Sequence, residues 1–269
     1  MEPLDSTFVV FLAFATVGTV AGLLAGLLGI GGGAVIVPAL MLLFVQLGFS
    51  DAWIPHQAVA TSLTTVIASG AASAWSHHRR GAVRWELFVR LVPWLLVGGW
   101  FGAFVAGWLP GLWLKRLFAV FLLYNALRML FSSPKASARP LPSTPIIGVF
   151  ATAFGSLSAL LGIGGGILIV PFLTRHGITM PRAVATSSAC GVPLALAGSI
   201  GFMVAGWGHS GLPAHSIGFV YWPAALVIIA ASMPMATLGA QLAHRLPTRM
   251  LKRIFGLLLF VVGLRMLVA

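Results

Sequence analysis

Long apolar runs alternate with short polar joints along the chain, at about residues 8–28, 33–48, 57–76, 85–107, 112–131, 144–161, 164–174, 183–206, 217–242 and 250–268. Most of these runs approach the ~20 residues that carry a helix across a bilayer. The pattern therefore predicts an all-α polytopic membrane protein of about 8 to 10 helices. The run at 164–174 is the exception. As a helix it would reach only about 18 Å, short of a hydrocarbon core of about 30 Å, so it is expected either to tilt or to form one arm of a re-entrant hairpin.

The runs come in two matching sets. LLGIGGGAVIVP at Leu27 to Pro38 returns as LLGIGGGILIVP at Leu160 to Pro171, and AVATS at Ala58 to Ser62 returns at Ala183 to Ser187. LPGLWLKRLF at Leu109 to Phe118 resembles LPTRMLKRIF at Leu246 to Phe255, and LRML closes each set. Several landmarks in one order mark a duplicated unit. The expected organisation is a first transmembrane repeat over 1–131, a polar, proline-rich linker over 132–143, and a second repeat over 144–269. Five apolar segments per repeat is an odd number, so equivalent segments run in opposite directions and the repeats are inverted.

Composition supports the membrane reading, with 59% hydrophobic and only 7% charged residues. The net charge of +12 does not require nucleic acid, because the basic residues sit in the joints, as the positive-inside bias produces. With Met1 outside, Arg79, Arg80, Arg84, Lys135, Arg139, Arg175, Arg182, Arg245, Arg249, Lys252 and Arg253 all fall inside, and only Lys115 and Arg116 fall outside with Glu2, Asp5 and Asp51. The acidic start makes Phe8 onward a retained first helix rather than a cleaved signal. A multi-pass protein of a bacterial inner membrane, N-terminus outside, is the expectation. Cys190 is a lone cysteine with no disulfide partner, and no cluster of carboxylates or histidines suggests a metal or another cofactor. Nothing in the composition sets an oligomeric state.

The glycines carry the candidate chemistry. Gly18, Gly22 and Gly26, echoed by Ala151, Gly155 and Ala159, have the spacing that lets two membrane helices pack closely. Gly31, Gly32 and Gly33, and Gly164, Gly165 and Gly166, serve no single helix face, and each costs about 1 kcal/mol relative to alanine in a helix. They predict broken helices. Backbone of that kind at membrane depth must be buried in protein or line a wet cavity, and the helix that restarts there aims free N–H groups at it, a setting that favours an anion. The first copy formally fits the dinucleotide fingerprint, but no short strand precedes it, and the second copy ends in Ile167 and breaks the pattern.

Thr61 and Ser62, with Thr186, Ser187 and Ser188, add hydroxyls at matching places within uncharged helices. They are expected either to face the site or to bond back to their own helix. Pro38 and Pro171 are expected to kink or end the segments after the glycines. His56, just before the first AVATS, is a candidate for proton coupling.

The doubled LLGIGGG-x-x-IVP and AVATS motifs, the first copy preceded by Gly26, closely resemble the TauE/SafE family, also called the sulfite exporter or toluene sulfonate uptake permease family, over nearly the whole chain. The resemblance implies an inner-membrane carrier of small sulfur-containing anions such as sulfite, sulfoacetate or related organosulfonates, often moving them outward. It implies a substrate site at Gly31, Gly32, Gly33, Thr61, Ser62, Gly164, Gly165, Gly166, Thr186 and Ser187. The neutral Trp207 to Ser216 loop and a shorter second interval between glycines and AVATS depart from an ideal repeat. The partners expected are thus a small anion and the lipid bilayer. Two other classes compete. A structural or assembly subunit would explain the small-residue stripes but not the paired breaks. An intramembrane enzyme would need a nucleophile with a base, and Gly155-Ser-Leu-Ser-Ala fails G-x-S-x-G.

Overall fold

The computed structural model describes residues 7–28, 31–131, 140–242 and 248–268, with backbone alone at 28, 248–255 and 268. The acidic N-terminus, Gly29 and Ile30, most of the expected linker including Lys135 and Arg139, and Arg245 lie outside the described residues. The first repeat supplies α1 (Thr7–Leu28), α2 (Gly33–Gln46), α3 (Ile54–His78), α4 (Trp85–Trp108) and α5 (Gly111–Phe131). The second supplies α6 (Thr144–Leu160), α7 (Gly166–Arg175), α8 (Met180–Ala205), α9 (Trp222–Leu242) and α10 (Thr248–Val268). Five of these, α1, α3, α4, α8 and α9, are long and apolar enough to cross a membrane. Large apolar side chains such as Phe8, Val97, Phe101, Val120 and Leu226 are exposed on the outer faces, where lipid tails are the solvent they suit.

Points of contact fix the helix directions. Gly18, Gly22 and Gly26 of α1 lie against the Ile228, Ser232 and Ala236 carbonyls of α9 in ascending order, so α1 and α9 run parallel. In the same way Gly98 and Gly102 of α4 lie against Thr152 and Ser156 of α6, and Gly99 and Gly107 against Leu194 and Ala205 of α8. α3 and α8 are antiparallel, joined by Thr64 to Ser199 and Ser73 to Ser188. α5 and α10 are antiparallel too, with Gly256 beside Leu130 and Gly263 beside Leu123. α3 runs with α9, since Thr61 meets Tyr221 and Arg80 meets Ala240. So α1, α3 and α9 point one way and α4, α6 and α8 the other, which is the inverted repeat the odd segment count requires.

The halves interleave rather than standing apart. The glycine stripe of α1 packs on α9, and in the corresponding stripe of α6 Gly155 packs on α4 while Ala159 lies beside Gly198 of α8. A β-carbon on Gly22 would collide with the Ser232 carbonyl, so only glycine permits that approach. Packing thus crosses the expected boundary between the two repeats.

The short helices resolve the choice between tilt and hairpin. α6 and α7 are antiparallel arms of a re-entrant hairpin, since the Phe172 ring packs against both Phe150, tilted, and Phe154, edge-on, and Gly165 lies beside Ser158. α1 and α2 form the counterpart, with Gly32 against the Ala21 carbonyl and Phe44 back beside Tyr221 at the start of α9. Pro38 and Pro171 lie inside α2 and α7, each five residues from the first helical residue, and both helices continue past them. The segment expected from 217 departs from expectation. Ser216–Ile217 (β1) pairs antiparallel with Val220–Tyr221 (β2), and α9 starts only at Trp222, with Pro223 in its first turn where the missing N–H costs nothing.

Candidate functional site

The tips of the two hairpins touch near the middle of α3. A β-carbon on Gly31 would stand 3.0 Å from Gly164 Cα and 3.1 Å from Val66, and one on Gly33 would collide with the Gly162 carbonyl. The approach is backbone on backbone, which explains glycine at these positions. The restart geometry is the same in both halves. Gly32 (φ 75°, ψ −16°) caps α2 and Gly165 (φ 77°, ψ −15°) caps α7, both in the left-handed region that glycine alone enters freely. Each cap carbonyl accepts from two residues, Val35 and Ile36 in one half and Leu168 and Ile169 in the other. The amides of Gly32, Gly33 and Ala34, and of Gly165, Gly166 and Ile167, have no acceptor among the described residues, as a helix start requires. Two positive helix ends therefore converge at the crossing.

Beside the crossing lies a cavity of about 10 Å³, room for roughly one water. Gly31 and Gly164 form one wall. α3 contributes Val66, Gly70 and Ser73, α8 contributes Ser188 and Gly191, and α1 contributes Ala25. Of these, Gly70, Ser73 and Gly191 escape a reading based on repeats, because their equivalents in the other half, Ala195, Gly198 and Val66, are different residues. The available signal was a glycine or serine in mid-helix, which is common in membrane helices for packing alone.

The AVATS hydroxyls are placed differently from the glycines. Thr61 Oγ1 accepts from the Tyr221 amide at 3.0 Å, and Thr186 Oγ1 accepts from the Arg84 amide at 3.0 Å while donating to the Arg182 carbonyl at 2.8 Å. Each threonine thus holds the residue before the fourth helix of the other half, and neither lines the cavity. Ser62 Oγ donates to the Gly162 carbonyl at 2.8 Å, pinning one half to the other half's tip. Its equivalent, Ser187, is fully buried, and its hydroxyl has no partner among the described residues. Ser188 lines the cavity and accepts from Ser73 Oγ at 3.3 Å.

His56 stands ten residues before Val66, about 15 Å along α3. Its Nε2 donates to the Ala106 and Leu109 carbonyls at 3.1 and 2.9 Å, and its ring packs against Trp53 and Phe219. It is part of the end of the bundle opposite the basic loops rather than of the crossing.

Opposed re-entrant hairpins from inverted repeats, meeting within a multi-pass helical bundle, are the architecture of a membrane transporter. The family model described as sulfite exporter TauE/SafE matches residues 14–266, and the chain belongs to that family. It is 36% identical over 260 residues to a protein of Haemophilus influenzae named "Probable membrane transporter protein", covering 96% of this chain and 98% of that one. A relative of the same description in Methanocaldococcus jannaschii is 32% identical over 255 residues, covering 93% of each chain. YunE of Bacillus subtilis, again so described, is 27% identical over 284 residues, 96% of this chain and 97% of its own. No solved structure matches the chain.

Proposed function

We propose that the protein is a secondary carrier of a small oxyanion, with sulfite, sulfoacetate or a related organosulfonate as its cargo, and that the substrate binds where the hairpin tips cross. One observation supports this above the others. Two helix N-termini, at Gly33 and Gly166, converge on a buried point lined by backbone and hydroxyls, and that combination draws an anion without any cationic side chain. The family description supplies the sulfur chemistry.

In this reading Gly31, Gly32, Gly33, Gly164, Gly165 and Gly166 form the seat and Ser188 is a direct contact. Ser62 braces the second tip, Ser187 leaves a buried hydroxyl free for the substrate cycle, and Thr61 and Thr186 hold the halves together. The cavity is too small for an oxyanion, so the structure corresponds to a closed state that must widen during transport. The basic loops face the cytoplasm of a bacterial inner membrane, which leaves the N-terminus outside. Proton coupling through His56 would act at the outer end. His56→Gln tests it, because glutamine keeps a donor for Leu109 but cannot titrate; flux driven by a pH gradient should fall while counterflow persists.

The direct test is counterflow into proteoliposomes loaded with sulfite, sulfoacetate or methanesulfonate. Accumulation of labelled anion above protein-free vesicles is expected. Equal rates with and without protein for every anion would overturn the proposal.

A further inference from the structure

The cavity beside the tips is electrically neutral, with walls of backbone, aliphatic groups and two hydroxyls. Ser73 and Ser188 are 1% and 6% exposed, and because Ser73 donates to Ser188, the Ser188 hydroxyl hydrogen has no acceptor among the described residues. Ser158, fully buried and with no hydroxyl partner among the described residues, has its Oγ 3.7 Å from the place a β-carbon would take on Gly165, the cap of α7. Donors lacking acceptors thus gather at the crossing, while full positive charge does not. The positive potential there comes from the two helix N-termini, each equivalent to about half an elementary charge. Together they balance about one negative charge.

That balance has a consequence for charge selection. The penalty for taking an ion out of water rises with the square of its charge, whereas its attraction to a fixed potential rises only in proportion. A dianion would pay about four times the penalty for about twice the attraction. A site with an arginine or lysine could offset this, but among the described residues none lines the cavity. His77, buried one turn beyond Ser73 on α3, is the titratable group on this stripe.

The inverted symmetry also shows that the cavity with its serine pair has no counterpart on the other side of the tips. Exchanging the halves carries Ser188 onto Leu63 and Ser73 onto Gly198. Leu63 is fully buried, and its Cδ1 stands 2.9 Å from the β-carbon position on Gly198. The mirror space is therefore filled by Leu63, with the Ser158 hydroxyl, counterpart of Ala25, at its edge, while the Ser73 and Ser188 pair lies on the side of the tips nearer the basic loops.

Resting on the carrier reading above, we propose that this cavity seats a single, singly charged oxyanion through the Ser73 and Ser188 hydroxyls and the tip amides, that it rejects dianions, and that among the cargoes named above it therefore favours hydrogen sulfite and monosulfonates over sulfoacetate, a dianion at neutral pH. Methanesulfonate and sulfate make the test pair, because both are tetrahedral and differ by one charge. Counterflow of each is measured at one pH, so that His77 is in the same state throughout. Methanesulfonate is expected to exceed sulfate by about tenfold or more. Ser188→Ala should raise the methanesulfonate KM about tenfold, with kcat and the yield of folded protein little changed. Sulfate carried as well as methanesulfonate would overturn the charge selection while leaving the carrier reading intact. An unchanged KM in both Ser188→Ala and Ser73→Ala would overturn the hydroxyl assignment. No counterflow of any anion would overturn this inference and the carrier reading together.

Discussion

The two ends of the bundle use the same clasp under different covers. At the basic end, Thr186 holds the Arg84 amide, and the chain between α3 and α4 is the short run 79–84 with three arginines. At the opposite end, Thr61 holds the Tyr221 amide, but the chain from α8 to α9 runs through 206–221 with a two-stranded hairpin and no charged residue other than histidine. Phe219 from that hairpin is fully buried among Trp53, His56, His209 and Phe202. A β-carbon on Gly218 would collide with the Met203 carbonyl, so the hairpin seats backbone to backbone on the end of α8. The clasp is thus a property of the repeat, whereas the covers were fitted to their own sides. Charge marks one end, and an aromatic plug seals the other.

The plug is the sharpest way to break the comparison. Phe219→Ala should destabilise the protein by about 3 to 5 kcal/mol, because it empties a fully enclosed ring site, and should lower the melting temperature of the detergent-solubilised protein more than any change in 79–84. A small shift would mean the hairpin is not seated as described. The clasps come next. Thr61→Val and Thr186→Val each leave an amide without its acceptor and should each cost about 1 to 3 kcal/mol. The two losses should be alike if the clasp is a shared device. A loss at one end only would show that the covers, not the threonines, fix the fourth helices.

The smallest effect concerns Arg80, whose guanidinium donates to the Ala240 carbonyl at 3.1 Å near the C-terminal end of α9. Arg80→Gln removes a cation from a helix C-terminus at an exposed position, so its cost should stay below about 1 kcal/mol and shrink further in salt. A loss as large as that of a clasp variant would assign Arg80 a structural role at the basic end.

Much of the fold was legible in the sequence. Ten apolar runs became ten helices with nearly the expected limits, because length and hydropathy decide what crosses a bilayer. The inversion followed from an odd count and the placement of arginines. The interleaving of α1 with α9 and of α6 with α4 was not legible, since a small-residue stripe shows that a helix is approached closely but not by which neighbour. At the candidate site, the helix breaks at the glycines were legible because three in succession are costly in a helix. The hydroxyls were not, since a serine or threonine in a membrane helix can brace a neighbour or face a cavity with the same local sequence. Thr61 and Thr186 turned out to clasp, while Ser73 lines the cavity and sits opposite a glycine in the repeat.

The central claim is that an anion occupies the space beside the crossed tips, and labelling of that space tests it most directly. In a Cys190→Ala background, Ser188→Cys protein in proteoliposomes is treated with a membrane-impermeant thiol reagent, with and without methanesulfonate. The account predicts reaction from the side bearing Arg79 and Arg80, slowed in proportion to methanesulfonate occupancy. A rate that is the same at every methanesulfonate concentration, in protein that still performs counterflow, would contradict it.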